Sequence, residues 1–176
     1  VQVFLVDATN CGVPQKRQRV FFVGTRETKP PLVWNPKSPV VSFNDACGDI
    51  VNGSNDLEEV TLKIGTERRK YWEKTKPGEY LSANHPKGYF FTFKKNALDN
   101  PVGTICGSSN AFHGKEPRLF TWKELLRLGT FPDDYNAITK KSKGTKAGKY
   151  HYVVGMSVPP FMIRSLAKAI EKQWLR

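Results

Sequence analysis

The chain has 176 residues, 39% apolar and 12% aromatic, enough to bury a core as one large domain or two small ones. Its 28 Lys and Arg against 16 Asp and Glu give a net charge of +12, which makes a polyanion, nucleic acid first, the partner to consider. Three cysteines, Cys11, Cys47 and Cys106, stand far apart and odd in number, excluding a disulfide framework and a zinc site of ordinary spacing. A reducing cytoplasm fits that usage. No continuous apolar run approaches the roughly 20 residues that cross a bilayer, and no basic leader precedes the first apolar residues, so no membrane partner is expected. The opening at Val1 rather than Met reads as a cut start.

In chain order, residues 1–6 and Val20-Phe21-Phe22-Val23 read as two strands, and the turn residues Asn10 to Pro14 between them make the strands neighbours. The prolines at 30, 31, 36 and 39 end that unit, since proline continues neither a helix nor a central strand. Residues 40–112 are mixed. They offer a short helix around Ser42 to Ile50, a charged stretch Glu67 to Lys74, and a period-two run from Lys87 to Lys95 that predicts a strand in a small irregular sheet.

Further on, Thr121-Trp122-Lys123-Glu124 has the pattern of a capping box. The Thr hydroxyl and Glu carboxylate each satisfy a free N–H at a helix start, and Gly129 suits the helix end. Lys140, Lys141, Lys143, Lys146 and Lys149, interspersed with glycines, predict a mobile polar loop. From Pro159 onward Met162, Leu166, Ala169, Ile170 and Gln173-Trp174 trace one face of a final helix. His85, His113 and His151 offer no ligand spacing and read as loop or surface residues, so no metal is expected.

Pro14-Gln15-Lys16-Arg17-Gln18-Arg19 carries the first candidate site. If extended, it projects Gln15, Arg17 and Arg19 from one face, successive pairs roughly 6.6 Å apart, and Lys16 and Gln18 from the other. Such a row suits a nucleotide clamp, because a guanidinium makes two directed bonds and keeps its charge. On residue pattern alone it equally suits a strand face turned to water. Arg68, Arg69, Lys70, Tyr71 and Trp72, and then Tyr89, Phe90, Phe93, Lys94 and Lys95, interleave basic groups with aromatics in the manner of DNA-contacting surfaces. Aromatics in a core and charges at its rim would give the same pattern.

Three segments in order, Pro14 to Arg19, Arg118-Leu119-Phe120-Thr121 running into Phe131-Pro132-Asp133-Asp134-Tyr135, and Gly155-Met156-Ser157-Val158-Pro159-Pro160, together resemble the C-terminal part of a cytosine-5 DNA methyltransferase. The resemblance implies an α/β fold: the C-terminal portion of a Rossmann-like methyltransferase domain, residues 1–39 and 113–176, with a small, irregular, β-rich target-recognition domain, 40–112, inserted. It implies transfer of a methyl group from S-adenosylmethionine to C5 of a cytosine swung out of double-stranded DNA.

Carried over by position, Arg19 stands at the cytosine O2, Arg17 at the backbone of the flipped nucleotide, and Gln15 positions the loop. Ser157 and Val158 lie at the cofactor, with Met156 where the family has Asn. Thr121, Glu124 and Asp133 are architectural. Arg68, Arg69, Lys70, Lys94, Lys95 and Thr104, the last in Asp99 to Ile105, face the DNA. In the family a Cys of a Pro-Cys motif attacks C6 and a Glu of a Glu-Asn-Val motif contacts N3. Here the residues before the three cysteines are Asn10, Ala46 and Ile105, so none is nominated as nucleophile. The chain alone is therefore expected to be inactive and to work with an N-terminal methyltransferase segment or subunit, in the cytoplasm at the nucleoid. A non-catalytic DNA-binding module or degenerate remnant, and a tRNA-methylating relative, are the alternatives.

Overall fold

A computed structural model describes residues 1–50, 56–107, 110–136 and 146–176. Strand β1 (Gln2–Asp7) pairs antiparallel with β2 (Gln18–Val23), Val6 opposite Arg19 and Val3 opposite Phe22. A 3-10 turn, Ala8–Cys11, joins them. Asp7 caps it by accepting from the Thr9 N–H, and Gly12, at φ 76°, supplies the left-handed residue that ends it. The expectation of two neighbouring strands joined by a loop holds.

Both faces of this ribbon are apolar. Inward, Phe4, Val6 and Phe21 meet Trp34 and Met162, with Phe4 and Phe21 edge-on to the Trp34 ring. Outward, Val3, Leu5, Val20 and Phe22 stand exposed, Phe22 at 74%.

Helix α1 (Phe43–Cys47) carries a capping box in which Ser42 and Asp45 exchange bonds, within the helix expected there. Helix α2 (Leu57–Val60) follows. The charged stretch forms α3 (Glu67–Lys74), capped by Thr66, with Tyr71 and Trp72 on its buried side.

The strand expected over Lys87–Lys95 shrinks to β3 (Lys94–Lys95), which pairs in parallel with β4 (Ala111–Phe112). Gly88 and Phe90 adopt left-handed conformations, φ 66° and 65°, so the run folds into turns despite its alternation. Aromatic packing compensates: Phe90 and Phe93 lie edge-to-face, and Phe93 stacks on Phe112.

The capping box at Thr121 and Glu124 opens α4 (Trp122–Leu128) as the sequence predicts. Gly129, however, has right-handed φ. A Cβ there would stand 2.8 Å from Val154 and 2.9 Å from Phe131, so close packing is what requires glycine.

Lys140, Lys141 and Lys143 of the expected mobile loop lie outside the described residues, and Lys146 and Lys149 instead belong to α5 (Lys146–Met156). Tyr150 and Val154, one turn apart, pack into the core beside α4, and Tyr150 stacks on Trp122. That burial overrides the breaking tendency of the glycines. Helix α6 (Pro160–Ile170) continues as a π turn, Glu171–Leu175. It lays Met162, Leu166 and Ala169 against the ribbon, while Gln173 bonds both backbone groups of Val33 and Trp174 donates to Pro30.

The run Gly148–Leu175 is long and apolar enough, by length and composition only, to cross a membrane, which the count of continuous apolar residues had not suggested. It breaks at Ser157–Pro159, and Met162 is wholly buried in the protein core.

Among the described residues the core falls into three clusters. One lies under the ribbon, and another lies around Trp72, Leu81 and Phe112. The third joins Phe43, Leu98, Val102 and Ile105 to Phe120, Leu125, Leu128 and Val154, so its packing crosses the division expected at 112/113.

Candidate functional site

The segment after the Ala8–Cys11 turn is extended. Gln15 bridges in parallel to Val102: Val102 N–H donates to Pro14 and Lys16 N–H donates to Val102. Thr104 adds its hydroxyl to the Lys16 carbonyl at 2.7 Å. The Gln15–Arg19 stretch and the Asp99–Ile105 stretch, both singled out in the sequence, are thus laced together by backbone.

Alternation then sends Gln15 and Arg17 inward, 0% and 2% exposed. The Gln15 Oε1 accepts from Ile105 N–H at 3.1 Å, and its Nε2 faces the last carbonyl of α4, Leu128, at 3.4 Å. Arg17 donates to the Ile105 carbonyl at 2.8 Å and to the Gly155 carbonyl. Both side chains help to hold three segments in one place, with the Arg17 Nε left buried and unbonded. The expectation that Arg17 reaches a nucleotide backbone meets a physical obstacle here, because its guanidinium is enclosed. Arg19 differs. It is half-buried on the inner face of β2, and among the described residues its side chain donates only to the adjacent Gln18 carbonyl, at 2.8 Å.

At Gly155 the approach is closer still. A Cβ there would lie 2.3 Å from the Cys106 carbonyl carbon and 2.4 Å from the Gly107 nitrogen, so α5 can touch this loop only through glycine. Ser157, the next polar residue, donates its hydroxyl to Val153, one turn back, and Val158 packs against the core under the ribbon. The cavities beside Lys94, Phe131 and Arg164 are lined by other residues.

Arg118 is held by two carboxylates. Its guanidinium meets Glu124 on two prongs, 2.8 and 2.9 Å, and also Glu116 at 2.7 Å. Glu124 simultaneously accepts from Thr121 N–H at 2.7 Å, so one buried carboxylate serves both the ion pair and the helix cap. Asp133 pairs with Arg127, which lowers the carboxyl below its usual range.

The basic residues expected to face DNA divide. Lys95 is 7% exposed; its Nζ donates to the Trp72 carbonyl at 3.2 Å and sits 3.6 Å from the Trp72 ring centroid, so it is a core cation and not a surface contact. Arg69 pairs with Glu73 and leans over Trp72. Arg68 and Lys70 are exposed, resting on Phe93 and Tyr71.

Lys94 is half-buried over the Tyr80 ring. Burial, and next the charge of Lys16, push its ammonium below the ordinary lysine value. Thr104 is exposed and lines, with Lys94, Tyr80 and Phe91, a cavity of about 260 Å³. Lys16, Tyr80 and Phe91 were not singled out from the sequence. The only signal for Lys16 was the alternation that turns it away from Gln15 and Arg17.

Two of the histidines read as surface residues are buried. His113 lies edge-on to Phe43 and Phe120 and accepts from Glu116 N–H, and His151 lies under the Cys106 backbone. Burial pushes each imidazole down to about 4, assisted at His113 by Arg118. Both are neutral packing groups. Among the described residues no three His, Cys, Asp or Glu side chains stand where they could hold a metal ion.

Residues 1–172 match the family of C-5 cytosine-specific DNA methylases. The chain belongs to this family. It is 29% identical to the type II methyltransferase M.BbvI of Brevibacillus brevis over 94% of the chain and 47% of that protein. It is 31% identical to a putative type II methyltransferase of Methanocaldococcus jannaschii over 96% of the chain and 51% of that protein. The structure of the Entamoeba histolytica methyltransferase EhMeth superposes with a TM-score of 0.57 over 97% of the chain and 53% of that structure, at 13% identity, a likeness of fold. The chain spans about half the length of the methylase relatives it matches.

Proposed function

We propose that this chain is the C-terminal part of a DNA (cytosine-5)-methyltransferase: it supplies target recognition and part of the active site, and works with an N-terminal segment or subunit that carries the Pro-Cys nucleophile and most of the S-adenosylmethionine site. The observation that carries this reading is the division of labour along Gln15–Arg19. Gln15 and Arg17 fasten the segment, and Arg19 is the one of the segment's two guanidinium groups that, among the described residues, no other element holds.

Held beside a cytosine O2, Arg19 would stabilise the charge that grows on the ring as a thiolate adds at C6, an electrostatic role commonly worth several kcal/mol in a dry site. In this reading Arg17 is a positioning residue and Ser157 and Val158 border the cofactor. Arg68, Lys70, Lys94 and Thr104 are the recognition-domain residues accessible to DNA. Lys16 joins them beside Lys94.

The outward face of the ribbon supports the partner. Val3, Leu5, Val20 and Phe22 form an exposed apolar stripe on a two-stranded sheet whose other face is already packed, as expected of a sheet completed by further structure. The +12 charge supports DNA as the polyanion.

Mixing the chain with a polypeptide bearing the Pro-Cys and Gly-rich segments, and measuring tritiated methyl incorporation into duplex DNA, tests the proposal. Incorporation by the mixture alone is expected; none from the mixture, or equal incorporation from the isolated chain, overturns it. The other reading is a non-catalytic DNA-binding module. Arg19→Ala separates the two: turnover falls far more than DNA affinity in an enzyme, and affinity alone responds in a module.

A further inference from the structure

Helix α4 ends in a strained residue. Thr130, just past Gly129, has φ 58°, in the left-handed region that a β-branched side chain rarely enters. The turn itself does not call for threonine. The Thr130 N–H donates to the Arg127 carbonyl at 2.9 Å and the Phe131 N–H to the Leu126 carbonyl at 2.9 Å, backbone bonds that a glycine at 130 would allow without strain. What the side chain adds is a hydroxyl.

That hydroxyl is used across the fold. Its Oγ1 accepts from the Phe161 N–H at 3.2 Å, 31 residues on, in the first turn of α6. This turn has few means of its own, because Pro159 at the cap position offers no side-chain acceptor and Pro160 has no N–H, so Phe161 carries the first amide of the helix. The bond lies at the surface, where water could replace the hydroxyl. A gain in stability therefore does not account for the strain. What water cannot do is hold α6 to α4.

The last turn of α4 has a second hold, since the Leu128 carbonyl faces the Gln15 Nε2 at 3.4 Å. Pro14, Thr130 and Phe161 also line one cavity of about 490 Å³. The start of the Gln15–Arg19 segment and the start of α6 thus meet at the same turn. Between Gly155, whose carbonyl Arg17 holds, and Phe161, whose amide Thr130 holds, only five residues are spanned, two of them prolines with locked φ. Little freedom is left in that span.

We infer that Thr130 is a positioning residue: its hydroxyl fixes where α6 begins and, with Arg17 anchoring the other end, fixes Ser157 and Val158 relative to Gln15–Arg19. The strained backbone is what aims the hydroxyl at Phe161. This inference rests on the reading that places Ser157 and Val158 beside S-adenosylmethionine. Its effect falls on cofactor affinity and not on the chemical step.

The test uses the full chain complemented by the N-terminal polypeptide, with S-adenosylmethionine affinity by titration calorimetry, KM and kcat for methylation, and the thermal midpoint. Thr130→Gly removes hydroxyl and strain together, so it should melt at or above the wild-type midpoint. It should nevertheless bind S-adenosylmethionine about fivefold more weakly, with KM raised in step and kcat kept within about twofold. Thr130→Ser keeps the hydroxyl and should keep wild-type affinity. Exchange of the Phe161 amide with solvent should quicken in Thr130→Gly and not in Thr130→Ser.

Wild-type affinity in Thr130→Gly, or affinity as weak in Thr130→Ser as in Thr130→Gly, overturns the inference alone. So does a Thr130→Gly that loses midpoint and affinity together, since that is the behaviour of a merely structural residue. A wild-type pair that binds no S-adenosylmethionine overturns the underlying reading with it.

Discussion

The Arg118 guanidinium and the Glu124 carboxylate face each other as two parallel hydrogen bonds, both side chains withdrawn from solvent. Removing one partner leaves the other charged and enclosed. Arg118→Met should therefore cost about 3–5 kcal/mol in urea unfolding, and Arg118→Met with Glu124→Leu clearly less than the single change. Because Glu124 also caps α4, the double variant retains a penalty of about 1 kcal/mol from the lost cap. Equal losses in the single and double variants would contradict the pairing.

Arg17 and Arg19 stand two residues apart yet should respond oppositely. Arg17→Lys cannot span both the Ile105 and Gly155 carbonyls, and its loss should be about 2–3 kcal/mol of stability. Arg19→Ala should stay within about 0.5 kcal/mol of wild type. Chemical denaturation of the two variants side by side decides this; a costly Arg19 change would remove the distinction.

Acidification should unfold the chain through its buried histidines. The folded-state value of His151 lies near 4, below the ordinary imidazole value near 6.5, because burial penalises the cation. Its contribution is thus complete above about pH 6.5, declines as pH falls toward 4, and levels off below. The loss across that window is on the order of 3 kcal/mol for one such histidine, with His113 acting in the same sense. The urea midpoint followed from pH 7 to pH 4 should drop less steeply in His151→Gln; parallel slopes would refute the assignment.

Salt dependence should distinguish surface cations from core ones. Arg68→Ala should reduce the slope of log affinity for DNA against log salt by about 1, as expected when one phosphate contact is lost. Lys95→Met should leave the slope unchanged, since its ammonium sits over Trp72 inside the protein. A changed slope for Lys95→Met would place it at the DNA after all.

What was legible in the sequence was what local chemistry dictates. Thr121 and Glu124 announce α4 because a capping box is a contact between residues three apart, and alternation placed Gln15 and Arg17 on one side because strand geometry is local. Not legible was how those side chains are used. Gln15 and Arg17 bond to residues about 90 to 140 positions away, so an arginine bound for carbonyls and one bound for phosphate look alike along the chain.

The aromatic run Lys87–Lys95 misled for a related reason. Its alternation describes a strand, but stacking among Phe90, Phe93 and Phe112 and the left-handed Phe90 decide its path. Lys95 misled because lysine is seldom enclosed, and only the Trp72 ring and carbonyl explain it. The buried His151 carried no sequence signal at all, being a lone polar residue among loops and basic tracts.

Gly155 set against Cys106 has a mechanical consequence. With backbone pressed on backbone there, and Arg17 bolted across the same junction, no articulation is available between the loop at Thr104 and the helix at Ser157. In the proposed complex with a duplex, bending and unstacking of the DNA would absorb the misfit that this stiff joint refuses to take up.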